Sequence, residues 1–286
     1  MGKKNSYQIQ KVMNNNVILA VDLKTNREMV LIGKGLGFGK KDRMIVSLDD
    51  NEIEKSFQTA QNKDMDDYVA MLSQRDEEVL DAIKDIILLA EKTFGKLNDH
   101  LLVVLTDHVE FAIKRIKMGM EIDNPFLQEI KVLYPQEYEI GIKGAEIIKK
   151  RLDIEISEDE IGFIALYLYS ARQNKTIGET VKDTRLLREA VEIIEKALNY
   201  RIDPEGLDYI RLINHLNYTV TSARDKRSIK NPLLDTVSKR FKFSFEIARK
   251  IASHFEQNQN IKISEDAIGF MAIHIERIRQ LAEMKD

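Results

Sequence analysis

The spacing of apolar residues changes once along this chain, near residue 68, and the change predicts two kinds of structure. Before it, short β-prone runs stand between turn residues: Val17–Val21, Met29–Ile32 and Met44–Val46. Asn14, Asn15 and Asn16 form one turn cluster, Lys24–Asn26 a second, and the glycine run from Gly33 to Lys41 a third. Residues 55–67 are polar and read as a linker. Beyond it the period becomes helical, with Val79, Ile83, Ile86, Ile87 and Ala90 at three-to-four spacing and a break expected at Gly95. Another helix is predicted from Leu101 to Met118, and Asn124-Pro125 starts a new element. Ser157 and Glu160 have the spacing of a capping box.

The helical part contains itself twice. Ile156–Gln173 recurs as Ile263–Gln280, shifted by 107 positions and identical at 10 of 18. The same shift lays Asn124–Leu127 on Asn231–Leu234 and Leu105–His108 on Leu212–His215 without a gap. Units of this length are domain-sized rather than solenoid-sized. The expected architecture is therefore multidomain: a small all-β antiparallel domain over 1–58, then two homologous all-α helical bundles over 66–174 and 179–286. Asn174–Gly178 reads as the hinge, with the second bundle beginning at Thr184.

Composition narrows the function classes. With 43% hydrophobic and 32% charged residues the chain is that of a globular, helix-rich protein. No apolar run approaches a membrane span and the N-terminus lacks a signal-like core, so a cytoplasmic protein without membrane insertion is expected. The absence of cysteine removes disulfides and thiolate metal sites; no metal and no cofactor are expected. The net charge of −3 hides an asymmetry, since residues 1–43 hold nine Lys/Arg against three Asp/Glu. A basic head on an acidic body suits a polyanion partner at the head.

The glycine run fails as a nucleotide loop. Lys34 stands where a phosphate-binding loop needs its first glycine, and Lys41 where it needs a hydroxyl. What remains is a loop of backbone amides flanked by lysines with Phe38 at its tip: parts that suit a nucleic acid, and equally an ordinary glycine-rich hairpin. Of the five histidines, His100 and His254 align with Leu207 and Ile147 and are read as structural. His108 coincides with His215, and His274 aligns with Tyr167. No two histidines have metal-ligand spacing and no nucleophile elbow occurs, so single imidazoles suit reversible phosphorylation. Arg115 and Arg277 are placed to meet such a phosphate, or are ordinary surface arginines.

Lys11–Val17 followed by Ile32–Lys41 resembles the RNA-binding head of the bacterial sugar-operon antiterminators, the BglG/SacY family. Leu105–Arg115 and Glu160–Leu166 resemble its first phosphotransferase-regulated domain; Asn214–Leu216 and Ile273–Arg277 resemble the second. The wording around Asn124–Leu127 and Leu133–Tyr138 is most similar to the glucose-operon subgroup. The resemblance implies a non-enzymatic homodimer whose head, a small four-stranded sheet, grips a leader-mRNA hairpin and so prevents termination. It implies RNA contacts from Lys11, Asn14, Asn15, Asn16, Gly33, Lys34, Phe38 and Lys40. It also implies phosphorylation of His108 by a sugar permease's IIB component, and of His215 and His274 by the phosphocarrier HPr.

One departure stands out: Tyr167 occupies the place of the family's second histidine in the first regulatory domain. Negative control is then expected to rest on His108 alone or to be weakened. Two rivals come from other classes. A DNA-binding activator with the same regulatory domains should carry a helix-turn-helix, against the β character of residues 7–48. A phosphoryl carrier enzyme would leave the Phe38 loop without a task.

Overall fold

A computed structural model describes residues 4–12, 16–33, 35–49, 52–53, 55–58, 76–120, 122–227 and 230–284. The head is one antiparallel sheet of β1 (Lys4–Val12), β2 (Val17–Asp22), β3 (Arg27–Ile32), β4 (Ile45–Asp49) and β5 (Lys55–Gln58), ordered β4-β1-β2-β3-β5. Alternation sorts the side chains: Tyr7, Ile9, Ile18, Ala20, Met29, Val46 and Leu48 share one buried cluster with Leu36. Val17, Leu19 and Val30 point to the other face and are buried as well, which is why β2 reads as a nearly continuous apolar run. In the β2–β3 turn the Asp22 carboxylate accepts from the amides of Lys24 and Thr25 at 2.7 and 3.2 Å, and Asn26 takes φ 55°.

The strand β5 corrects the sequence reading. Lys55–Gln58, read as the start of a polar linker, pairs with β3 through Val30↔Phe57 and its neighbours. An edge strand needs backbone partners rather than an apolar run, so composition did not mark it. The sheet thus has five strands where the resemblance implies four. The rest of the expected linker, 59–67, lies outside the described residues.

Ten helices follow among the described residues: α1 (Glu77–Phe94), α2 (Leu101–Lys117), α3 (Leu127–Leu133), α4 (Pro135–Leu152), α5 (Glu158–Arg172), α6 (Ile177–Leu198), α7 (Leu207–Arg224), α8 (Leu234–Arg240), α9 (Lys242–Gln259) and α10 (Glu265–Glu283). The predicted apolar stripe of α1 is buried throughout, and Gly95 ends the helix at φ 83°. The shift of 107 carries α3 onto α8 and α4 onto α9 residue for residue. The start of α6 differs from expectation. Thr176 caps it with a reciprocal box to Glu179, so the helix begins at Ile177, seven residues before Thr184, and takes over part of the expected hinge.

By compactness the chain divides into Met1–Glu121 with Gly144–Ile156, and Ile122–Lys143 with Ser157–Asp286. The cut is not the repeat boundary: α3 and α5, from the first repeat, cluster with the whole second repeat. Within that second unit, Glu129 of α3 is fully buried, accepts from the Tyr209 hydroxyl and pairs with Arg188 at 3.4 Å. A buried carboxylate is tolerated only with such partners. The Tyr134 and Thr184 hydroxyls bond each other, Thr184 donates to the Thr180 carbonyl and Ser170 donates to the Thr180 hydroxyl, which ties the end of α3 and the helix α5 to α6.

One device is built twice. The Asn124 amide N–H donates to Asp159 Oδ1 at 2.9 Å, its side-chain amide donates to the Asp159 carbonyl at 3.2 Å, and its Oδ1 accepts from Phe126 N at 3.0 Å. Asn231 repeats the set on Asp266 and Leu233 at 2.9, 3.5 and 3.0 Å. Both asparagines are buried against a glycine, Gly162 or Gly269, where an added Cβ would stand 2.8 or 2.7 Å from the asparagine Nδ2. Gly269→Ala should therefore destabilise the second unit by about 1–3 kcal/mol in urea titrations. An unchanged midpoint would show that the contact is not tight.

Candidate functional site

Two sets of residues carry candidate chemistry, one in the head and one in the helices. In the head, the Gly33–Lys41 loop advances by successive tight turns: Leu36 N donates to Gly33 O, Phe38 N to Gly35 O and Lys40 N to Gly37 O, at 3.0, 3.0 and 3.1 Å. Leu36 turns inward and is buried; Phe38, two residues on, is 75% exposed. An exposed phenyl ring of that degree has no folding role and is available for stacking. Lys11, Lys41 and Arg43 are exposed, and Lys40 is half-buried. Asn14, Asn15 and Lys34 lie outside the described residues.

Asn16 and Gly33 have structural work. Gly33 is held because a Cβ there would stand 2.0 Å from the Glu52 carbonyl oxygen. Asn16 is buried; its carbonyl accepts from Gly33 N at 2.9 Å and its Oδ1 from Gly35 N at 2.7 Å, which anchors the loop. Its side-chain amide donates to Glu77 at 2.9 Å and Asp81 at 3.4 Å, both on the first turns of α1. Two carboxylates thus hold a group whose residue type suits nucleic-acid contact, a feature the sequence did not announce.

In the helices, α7 and α10 bring His215 and His274 together. Their rings stack with centroids 3.6 Å apart and planes at 24°. Burial lowers the pKa of His215, and burial with the neighbouring His215 and Arg277 lowers that of His274 to about 4. Both rings are therefore neutral near pH 7, the form with a nucleophilic nitrogen lone pair. The pair lies between two cavities. The larger, about 740 Å³, includes Arg224, Arg227 and Phe270 in its lining; the smaller, about 380 Å³, includes Asp208, Arg211 and Arg277.

His108 sits half-buried on α2 and Tyr167 half-buried on α5. Arg115, singled out from the sequence, lies over the Phe111 ring at 5.1 Å. Arg277 forms an ion pair with Asp208 at 3.2 Å. His254 is 2.8 Å from Glu189 and bonded by Asn258, a structural pair, while His100 is exposed at the start of α2. Sequence reasoning missed Asp208 and Arg211. The signal was present: Arg211 stands one turn before His215, where the first repeat has Val104.

Comparison with known proteins gives the same division. A model described as CAT RNA binding domain matches residues 7–66, and one described as PRD domain matches 82–171 and again 188–278. The chain belongs to the BglG/SacY family of antiterminators. It is 36% identical to the "GlcA/glcB genes antiterminator" of Staphylococcus carnosus, covering 97% of this chain and 98% of the relative. To "Transcription antiterminator LicT" of Bacillus subtilis it is 34% identical over 95% and 98%. The solved structure titled "Crystal structure of GlcT CAT-PRDI" aligns at TM-score 0.53 and 39% identity, over 59% of this chain and 99% of that one. The antiterminator's likeness is thus to the glucose-operon subgroup, as the wording around Asn124 implies. Among the described residues no helix is long and apolar enough to cross a membrane.

The lowered His274 pKa has a consequence for stability. Between about 4 and the ordinary 6.5 the unfolded chain takes up a proton that the folded antiterminator refuses. Stability is thereby lost as pH falls through that window, and His215 acts in the same direction. Thermal unfolding midpoints from pH 7 to pH 5 should fall less steeply in His274→Phe than in the parent chain; equal slopes would contradict the burial assigned to this ring.

Proposed function

We propose that this protein is a cytoplasmic transcriptional antiterminator of a sugar phosphotransferase operon. Its head binds a hairpin in leader mRNA, and its two helical repeats are controlled by histidine phosphorylation. The observation that carries the reading is the exposed Phe38, presented by a tight-turn loop among cations within the segment that matches a CAT RNA binding domain. Lysines neutralise phosphates, backbone amides allow close approach, and the phenyl ring stacks on an unpaired base. Lys11, Lys34, Phe38 and Lys40 are the contact candidates in this loop and its approach, with Asn14 and Asn15 beside them. A helix-turn-helix reading has no support, since the described part of residues 4–58 contains strands and turns only.

Asn16 and Gly33 serve by shaping the loop, and Asn16 has a second role. With its amide held by Glu77 and Asp81, RNA must displace carboxylates to reach it. Homodimerisation of the head would place two such loops on one hairpin.

In the repeats, a neutral imidazole nitrogen uses its lone pair to form a new N–P bond with a phosphohistidine donor. The donor's N–P bond breaks, its electron pair stays on the donor ring, and that ring takes up the proton the acceptor gives up. His215 and His274 accept from the phosphocarrier HPr, and His108 from the permease's IIB component. The protein itself acts as regulator rather than enzyme. With Tyr167 standing where the second repeat has His274, His108 carries the first repeat's response alone.

Filter binding of the full chain to its leader hairpin, against duplex DNA of the same sequence, tests the reading. Phe38→Ala should cost about 1–3 kcal/mol of RNA affinity, whereas Glu77→Gln combined with Asp81→Asn should tighten binding. Equal affinity for RNA and DNA, or indifference to Phe38, would refute it.

A further inference from the structure

The smaller cavity beside the stacked imidazoles is lined by charges that neither the fold nor the imidazole pair requires. Asp208 lies in the first turn of α7, Arg211 follows one turn later, and Arg277 lies one turn beyond His274 on α10. Arg277 Nε is 3.2 Å from Asp208 Oδ1, and Arg211 is 3.7 Å from the same oxygen. That oxygen is shielded from solvent, although the arginine side chains are half exposed, 50% for Arg211 and 56% for Arg277. Ion pairs this exposed contribute little stability, so stability does not account for them.

The first repeat supplies an internal control. At the positions 107 residues earlier stand Leu101, Val104 and Ser170. Leu101 is buried, and Ser170 is buried and bonded to Leu166 and Thr180. The same helical framework therefore forms with none of the three charges. They occur only in the repeat that has the stacked imidazole pair.

We propose that Asp208, Arg211 and Arg277 form a phosphoryl-holding site for the His215–His274 pair, in which Asp208 occupies the two guanidiniums until a phosphoryl group replaces it. The charges fit such an exchange. One carboxylate leaves the two arginines with a surplus of one positive charge; a phosphoryl group, at about −1.5 to −2, matches them both. Arginine forks bind its oxygens through charge-assisted bonds, and the displaced carboxylate is driven from the new anion. Phosphorylation is then reported at the start of α7, one residue before Tyr209, whose hydroxyl bonds the buried Glu129 of α3. The first repeat, lacking these charges, holds a phosphoryl group on His108 less firmly.

The inference rests on the proposed acceptor role of the pair, and the test separates the two. The full chain is phosphorylated by a phosphohistidine donor protein and, separately, by potassium phosphoramidate, which needs no protein docking. Phosphohistidine on the second repeat is followed by phosphorus NMR until it hydrolyses. Arg211→Gln with Arg277→Gln should shorten its lifetime at least roughly five-fold. Asp208→Asn should lengthen it, and Arg249→Gln, an exposed arginine outside the cavity lining, should leave it unchanged. Thermal midpoints of all variants exclude unfolding as the cause.

Label from phosphoramidate but not from the donor protein would sink the acceptor role alone. Label whose lifetime ignores both arginines, or responds equally to Arg249→Gln, would overturn the phosphoryl-holding site alone. No label on His215 or His274 from either reagent would overturn both.

Discussion

The helical body depends on a buried asparagine that cannot be satisfied except by one neighbouring helix start. Asn124 and Asn231 each spend their backbone N–H, side-chain amide and side-chain oxygen on a fixed set of partners, and each packs on a helical glycine with no room for a methyl group. A buried amide left unbonded would cost more than the bonds contribute, so the arrangement is all-or-none. In each repeat it locks the entry to a short helix, α3 or α8, against the first turn of α5 or α10. The second of these carries His274, and its neighbour α7 carries His215, so the clamp also sets the frame in which two imidazoles stack.

On that common frame the repeats have diverged in chemistry. The second presents two neutral rings face to face, with cations on both sides. The first presents His108 and, at the other position, a tyrosine. Its α3 and α5 pack with the second repeat, through Glu129–Tyr209 and Tyr134–Thr184. The imidazole pair and these first-repeat helices therefore belong to one compact unit. Within the first compact unit, the head meets the helices at Asn16, whose amide is held by the acidic start of α1.

Much of this was legible in the residues. The shift of 107 gave the repeat, and the helix bounds follow it because capping and packing residues recur with it. The β character of the head was plain from Val17–Val21 and Met29–Ile32. Edge strand β5 was not, since its pairing is made by backbone that every sequence has. Thr176 was hidden because a hinge and a capping box use the same small polar residues. Asn16 read as a loop residue, whereas its burial and its acidic partners come from a helix 61 residues later in the chain. The stacking of His215 on His274 required two helices to pack, and spacing alone could not supply it. Family resemblance did mark both histidines; it said nothing of Asp208 and Arg211.

We propose that imidazole chemistry in the second repeat governs RNA binding by the head. The most direct test is the affinity of the full chain for its leader hairpin, measured before and after phosphorylation of His215 and His274 in the same preparation. The dissociation constant should change by roughly five-fold or more, as a coupling of about 1–3 kcal/mol implies, and the change should vanish in His215→Ala with His274→Ala. Identical affinities for the two forms would contradict it.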